Sequence, residues 1–97
     1  MRATLLAALL CAAPAFAGDY IARQGNDSVR LTDKPCPAEV VAKIMEQYRG
    51  EFLRLANVMW QGKPYVACWM PFQGAALVLY DDQDIGIIPF DHFEGVM

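Results

Sequence analysis

His92 is the only histidine of the chain, and it stands beside Asp91 and two residues before Glu94. An imidazole next to carboxylates has the residue types of a general acid or base. Such catalysis also needs a nucleophile or a paired carboxylate at a defined distance, and no motif in the sequence marks one. We therefore predict a surface histidine near the chain end, no catalytic residues, and a protein that is not an enzyme.

The acidic run DDQD, residues 81–84, superficially resembles a calcium-binding loop. Aligning Gly86 with the glycine of such a loop puts Gln83, Ile85 and His92 at positions where oxygen ligands, ending in Glu, are required. The match fails at all three positions. A weak surface site on two of the aspartates stays an alternative, but the pattern predicts a solvated turn, no metal and no cofactor.

Four Trp and Tyr residues lie in the strand-rich second half of the chain, at Trp60, Tyr65, Trp69 and Tyr80. Trp and Tyr favour protein interfaces because they bury a large area and keep a polar handle. Small domains also use these side chains to fill the core. Both interpretations stay open, and the four residues are the candidates for a binding surface.

Residues 1–17, MRATLLAALLCAAPAFA, have one basic residue, an apolar centre and an A-x-A end. This order is typical of a secretory signal peptide. The apolar run is too short for a membrane span, which needs about 20 residues. Leu10 before Cys11 argues against a lipoprotein signal, which has a small residue there. We expect one small domain over residues 18–97, periplasmic or secreted, with no membrane span after cleavage.

Removal of that segment leaves two cysteines, Cys36 and Cys68. Two cysteines in a small exported domain usually pair, so we predict a disulfide between them. The alternative is a redox or nucleophilic thiol, but the sequence contains no C-x-x-C motif.

The charge of residues 18–97 is acidic, with seven Lys and Arg against eleven Asp and Glu, a net charge of −4. All seven basic residues lie between Arg23 and Lys63. The charged residues that follow Lys63 are all acidic. This balance gives no support for nucleic-acid binding.

The spacing of turn residues and apolar runs predicts an α+β fold. A hairpin over residues 20–32 comes first, then an amphipathic helix of about three turns that starts at Pro37 and stops at Gly50. Four strands follow as an antiparallel meander, with one disulfide linking the helix start to the sheet. Residues 65–72 are apolar on both alternating faces, which indicates a sheet that is covered on both sides.

Three stretches resemble a group of small exported proteins of proteobacteria and their prophages: D-K-P-C, Q-G-K-P-Y-V-A-C-W, and V-L-Y-D-D-Q-D-I-G-I-I-P with a following F. The group is similar in its G-x-x-Y-x-A-C-W motif and in an acidic turn before G-x-I-P. The resemblance covers residues 31–93, and it departs at Gln83, where the group often has Gly. The resemblance implies an exported protein, encoded by a bacterium or by a prophage, but little about mechanism, since the group is itself largely uncharacterised.

The expected function is a small exported envelope protein that works as a protein-binding module, acting on the host envelope if it is prophage-encoded. The expectation comes from apolar surface in excess of the cover that one helix and one hairpin provide. The alternative is a homo-oligomeric structural protein, such as a homodimer formed through the sheet. A periplasmic enzyme comes third. The expected partner is thus another envelope protein or a second copy of the chain.

Overall fold

Two-residue turns set the lengths of the central strands. Gln61 and Gly62 have φ of 52° and 79°, and Gln73 and Gly74 have φ of 50° and 80°. Two consecutive residues with positive φ form the hairpin turns whose twist matches that of the flanking strands, and glycine takes this conformation without steric cost.

The computed structural model describes residues 19–96, so the predicted signal peptide lies outside the described residues. These residues form one antiparallel sheet in the order β6-β5-β4-β3-β2-β1-β7. The strands are β1 Asp19–Gln24, β2 Asp27–Pro35, β3 Arg54–Trp60, β4 Lys63–Phe72, β5 Ala75–Leu79, β6 Ile85–Pro89 and β7 Glu94–Val96. No helix among these residues is long and apolar enough to span a membrane.

The predicted α+β class is wrong. The N-terminal hairpin and the four later strands belong to a single seven-stranded sheet, and the chain end adds β7, which pairs with β1. The sequence gives no sign of β7, because its three residues are too few for an alternating pattern. Only one short α-helix, α1 at Ala38–Val41, is present in the described part of the chain.

The predicted three-turn helix is replaced by one turn of α1 and a 3-10 turn at Glu46–Tyr48. The Cys36 N–H donates to the Leu53 carbonyl at 2.9 Å, so the segment between them must return to its starting point. A straight helix over residues 37–49 would be about 20 Å long. The four residues that remain reach about 14 Å when fully extended, so a helix of that length would leave little slack for the return to Cys36.

The sheet buries apolar side chains on both faces. The outer face is covered by the segment between β2 and β3, whose Ile44 is fully buried against Cys68, Leu77 and Leu79. The inner face has its own cluster: Leu31, Ala56, Val58, Ala67, Trp69, Ala76 and Val78. The expectation of a sheet covered on both sides holds for its centre, where all five residues of β5 are buried.

The sheet curls into a half-barrel because its two edge strands are consecutive in the chain. β6 ends at Pro89 and β7 begins at Glu94, and a 3-10 turn at Phe90–His92 joins them. A link of four residues spans at most about 14 Å, so the two edges must approach each other. The inner face is therefore the concave side.

Trp69 holds one end of the curl together. The register of β2 against β3 shifts between Leu31 and Pro35, which turns the Thr32 carbonyl out of the strand ladder. The indole Nε1–H of Trp69 donates to that carbonyl at 2.8 Å. The ring also meets Phe90 of the connecting turn edge to face, with centroids 6.5 Å apart. Trp69 thus joins β4 to the irregular part of β2 and to the link between the sheet edges.

The structure contains the predicted disulfide between Cys36 and Cys68, residues 32 apart in the sequence. It fixes the start of the covering segment to the middle of β4. Because the cover contains little regular structure, its position on the outer face depends on this bond and on the Cys36–Leu53 hydrogen bond.

We predict that replacing both cysteines, Cys36→Ala with Cys68→Ala, lowers the free energy of unfolding by about 3–4 kcal/mol, since the open loop gains chain entropy in the unfolded state. Urea denaturation with and without a reducing agent measures the change. Reductant should destabilise the wild type by a similar amount and leave the double variant unaffected. Identical urea midpoints for the oxidised and reduced wild type would contradict the prediction.

Candidate functional site

Three of the four aromatic candidates meet at one end of the inner face. Trp60 ends β3, and Tyr65 lies opposite Val58 in the register of β3 and β4. Because residues two apart share a face, Val58, Trp60 and Tyr65 point the same way. Tyr80, at the end of β5, packs against the inner cluster from the neighbouring strand. The register therefore places the three aromatic rings around the buried Val58.

These residues line an open cavity of about 540 Å³, here called the aromatic groove. Its lining consists of Val58, Trp60, Tyr65 and Tyr80 together with Asp81, Asp82, Asp84, Ile85 and Gly86. Trp60 is 52 % exposed and Tyr65 is 44 % exposed, so both rings face solvent. Exposed rings of this size beside a concave surface are typical of a binding site and unusual for the surface of a monomer.

A second cavity of about 460 Å³ shares Val58, Trp60 and Tyr80 with the aromatic groove and continues along the inner face. We call it the inner pocket. Its walls include Val29 and Ile88, whose apolar side chains lie on opposite sides of the curl. The two cavities together form a continuous concave surface with an aromatic and acidic end and a second end where apolar residues lie beside Arg23, Asp27 and His92.

The acidic turn between β5 and β6 forms the rim of the aromatic groove. The Asp82 carboxylate accepts the Asp84 N–H at 2.9 Å, and the Asp84 carboxylate accepts the Ile85 N–H at 3.0 Å. The turn is closed by the Tyr80 N–H, which donates to the Asp84 carbonyl at 3.0 Å. One oxygen of each carboxylate thus accepts a hydrogen bond from the backbone. These bonds fix the negative charge beside Tyr80.

Tyr80 forms the contact between the aromatic and acidic parts of the groove. Its ring lies across Gly86, where an added Cβ atom would be 3.5 Å from the ring edge, an ordinary van der Waals contact. Burial raises the pKa of the Tyr80 phenol above the ordinary value of 10.0, and the charges of Asp84 and then Asp82 raise this pKa further. The phenol therefore stays neutral at physiological pH, and the field of the carboxylates reaches the groove.

Trp69, the fourth candidate, is a core residue of the same face. It is 5 % exposed, and its indole N–H already donates to Thr32. Along β4 it lies six residues, or about 20 Å, from Lys63, the residue that pairs with Trp60. The structure brings Trp60, Tyr65 and Tyr80 together and leaves Trp69 at the other end of the half-barrel.

His92 lies on the 3-10 turn after β6, at the edge of the inner pocket. Its Nε2 is 3.8 Å from the Asp91 carboxylate, and both side chains are exposed. Within residues 19–96, no three His, Cys, Asp or Glu side chains form a group that could hold a metal ion.

Sequence reasoning did not connect the acidic turn with the aromatic residues. The signal was available in the order V-L-Y-D-D-Q-D, since Tyr80 precedes the aspartates directly. The contribution of Val58 and Gly86 could not be read from the sequence, because it depends on the curl that brings β3 near the turn after β5.

A scan of protein-family models and searches of curated proteins and of solved structures found no match to this chain.

We predict that stability falls as the pH rises above about 10, because the unfolded chain ionises Tyr80 before the folded protein does. Below that pH the phenol is neutral in both states, so its contribution is fully present. Tyr80→Phe removes this contribution and should make the decline above about pH 10 shallower than in the wild type. Urea denaturation of both proteins between about pH 8 and about pH 11 measures the difference.

The phenolate absorbance difference between wild type and Tyr80→Phe gives the pKa of Tyr80 directly. Asp82→Asn with Asp84→Asn should lower that pKa only in part, because burial is the larger cause. A Tyr80 phenol that ionises at or below the ordinary pKa of tyrosine would contradict the assignment.

Proposed function

We propose that this protein is a small exported binding module that holds a partner protein of the cell envelope in the aromatic groove. The observation that carries the proposal is the exposure of Trp60 and Tyr65 on the concave face of a sheet whose centre is otherwise buried. An aromatic side chain left in water forgoes about 1.5–3 kcal/mol of hydrophobic stabilisation. A partner that covers both rings recovers this free energy at the interface.

Two further observations support the same surface. Trp and Tyr are enriched among the residues that dominate binding energies, and they concentrate near the centre of an interface. The disulfide and the covering segment fix the opposite face of β4 at Cys68, three residues from Tyr65, so this strand is held in place before a partner binds. A surface that is formed before binding loses less entropy when the partner docks.

The test is affinity capture from envelope extract with the full chain carrying a C-terminal tag, in its oxidised form. Tyr65→Ala is compared with Phe72→Ala, because the two side chains are 44 % and 43 % exposed and lie on opposite faces of β4. We expect the wild type and Phe72→Ala to enrich the same envelope protein. Tyr65→Ala should retain less than about a tenth of it, as for truncation of a residue central to an interface.

Equal capture by the wild type and Tyr65→Ala would contradict the proposal, as would loss of capture in Phe72→Ala alone. Light scattering on the three proteins separates the homo-oligomer from the binding module. A stable dimer that Tyr65→Ala dissociates would mean that a second copy occupies the groove, and the protein would then be an oligomeric structural component. The proposal expects a monomer.

A further inference from the structure

From the charge and shape of the groove we infer that its occupant is an extended segment of the partner protein that inserts an arginine side chain between the aromatic rings and the acidic turn. This inference rests on the proposed function and adds the chemistry of the ligand. It depends on three features of the groove: the ring faces, the fixed carboxylates and the continuation into the inner pocket.

The ring faces favour a cation. Aromatic rings carry negative electrostatic potential on their faces, and guanidinium groups stack on them more often than ammonium groups do. Trp60, Tyr65 and Tyr80 surround the groove from three strands, so a flat cation that enters it meets more than one ring. The same chain already uses this contact, since the guanidinium of Arg54 lies 5.6 Å from the ring centroid of Trp69.

The carboxylates at the rim complete the recognition. Asp82 and Asp84 each direct one oxygen to a backbone N–H of their own turn, which leaves their second oxygens for a ligand. Paired N–H donors on one plane, as in guanidinium, suit carboxylate acceptors better than a single ammonium does. Lys63 lies opposite Trp60 across the hairpin, but it does not line the groove, so the lining carries aspartates and no basic residue.

The inner pocket indicates that the ligand is a chain segment and not an isolated cation. It continues from the aromatic groove past Val58 to Val29 and Ile88, so a single guanidinium would leave most of the concave surface empty. An extended segment advances about 3.3 Å per residue and turns alternate side chains to one side. Apolar residues two positions from the arginine would therefore fill the inner pocket while the guanidinium stays at the acidic rim.

The test measures binding to the full chain of the pentapeptide acetyl-Leu-Gly-Arg-Gly-Val-amide, in which the two apolar side chains share the arginine's side of an extended segment. Its controls replace arginine by citrulline, which keeps the shape and loses the charge, or by glutamate. The two indole N–H signals in the amide spectrum report the position, because Trp60 lines the groove and Trp69 is buried. We expect a saturable shift of the Trp60 signal with the arginine peptide, and affinity about five- to twentyfold weaker with citrulline. Added salt should weaken only the arginine peptide.

Two double variants distinguish the effect of charge at the groove from the effect of the protein's net charge on peptide binding. Asp82→Asn with Asp84→Asn removes two charges at the groove, and the amide oxygens can still accept the turn hydrogen bonds. Glu39→Gln with Glu46→Gln removes two charges from the segment that covers the outer face. The first pair should weaken the arginine peptide about tenfold and leave the citrulline peptide unchanged, whereas the second pair should have little effect on either.

Equal affinity for the arginine and citrulline peptides, or no shift of the Trp60 signal by any peptide, would overturn the inference. If envelope capture still depends on Tyr65 in that case, the groove is a protein-binding site for an uncharged ligand and the proposed function stands. If capture does not depend on Tyr65 either, the proposed function fails as well.

Discussion

The fold depends on the way that Trp69 closes one end of the curled sheet. Its N–H pairs with the Thr32 carbonyl, which the irregular register of β2 turns away from the strand ladder. A buried carbonyl without a donor would cost about 1–3 kcal/mol. The ring contacts Phe90 of the link between the two sheet edges, and Phe93 packs against the same cluster. One side chain therefore satisfies a polar group of β2 and packs against the turn that makes the sheet curl.

The opposite end of the half-barrel has no comparable closure. Trp60 and Tyr65 stand at the tip of the β3–β4 hairpin with half of their surface in water, although they share a face with the buried Ala67 and Trp69. The two ends of the half-barrel differ in the residues that approach from the other side of the curl. At the Trp69 end, aromatic residues of the connecting turn complete the core, whereas at the Trp60 end the charged turn after β5 approaches. Aspartates cannot fill an apolar gap, so that end stays open and acquires a negative rim.

Local signals in the sequence predicted some of these features well. The pairing of Cys36 with Cys68 follows from the number of cysteines, and burial on both faces of the sheet follows from the apolar pattern. The structure contains the disulfide, and both faces are buried at the centre of the sheet. The helix prediction failed in a segment whose ends are joined by the Cys36–Leu53 hydrogen bond, a contact that spacing along the sequence does not show. β7 and the curl were not predicted for a similar reason, since β7 pairs with β1, which lies at the other end of the sequence.

The same distinction applies to the candidate site. Alternation predicts which aromatic residues share a face of the sheet. The burial of each residue depends on the curl, which places Trp69 in the core and leaves Trp60 exposed. Alternation likewise does not show that the aspartates after Tyr80 reach the same groove, because the proximity of β3 to the turn after β5 is tertiary.

The most direct test of this account is acrylamide quenching of tryptophan fluorescence in the single-tryptophan variants Trp60→Phe and Trp69→Phe, which retain Trp69 and Trp60 respectively. The account predicts that Trp60 is quenched as readily as an exposed indole, because the aromatic groove is open in the free protein. Trp69 should be strongly protected. Equal protection of both residues would mean that another part of the chain or a second copy covers the groove, and it would contradict the open half-barrel on which the proposed binding site rests.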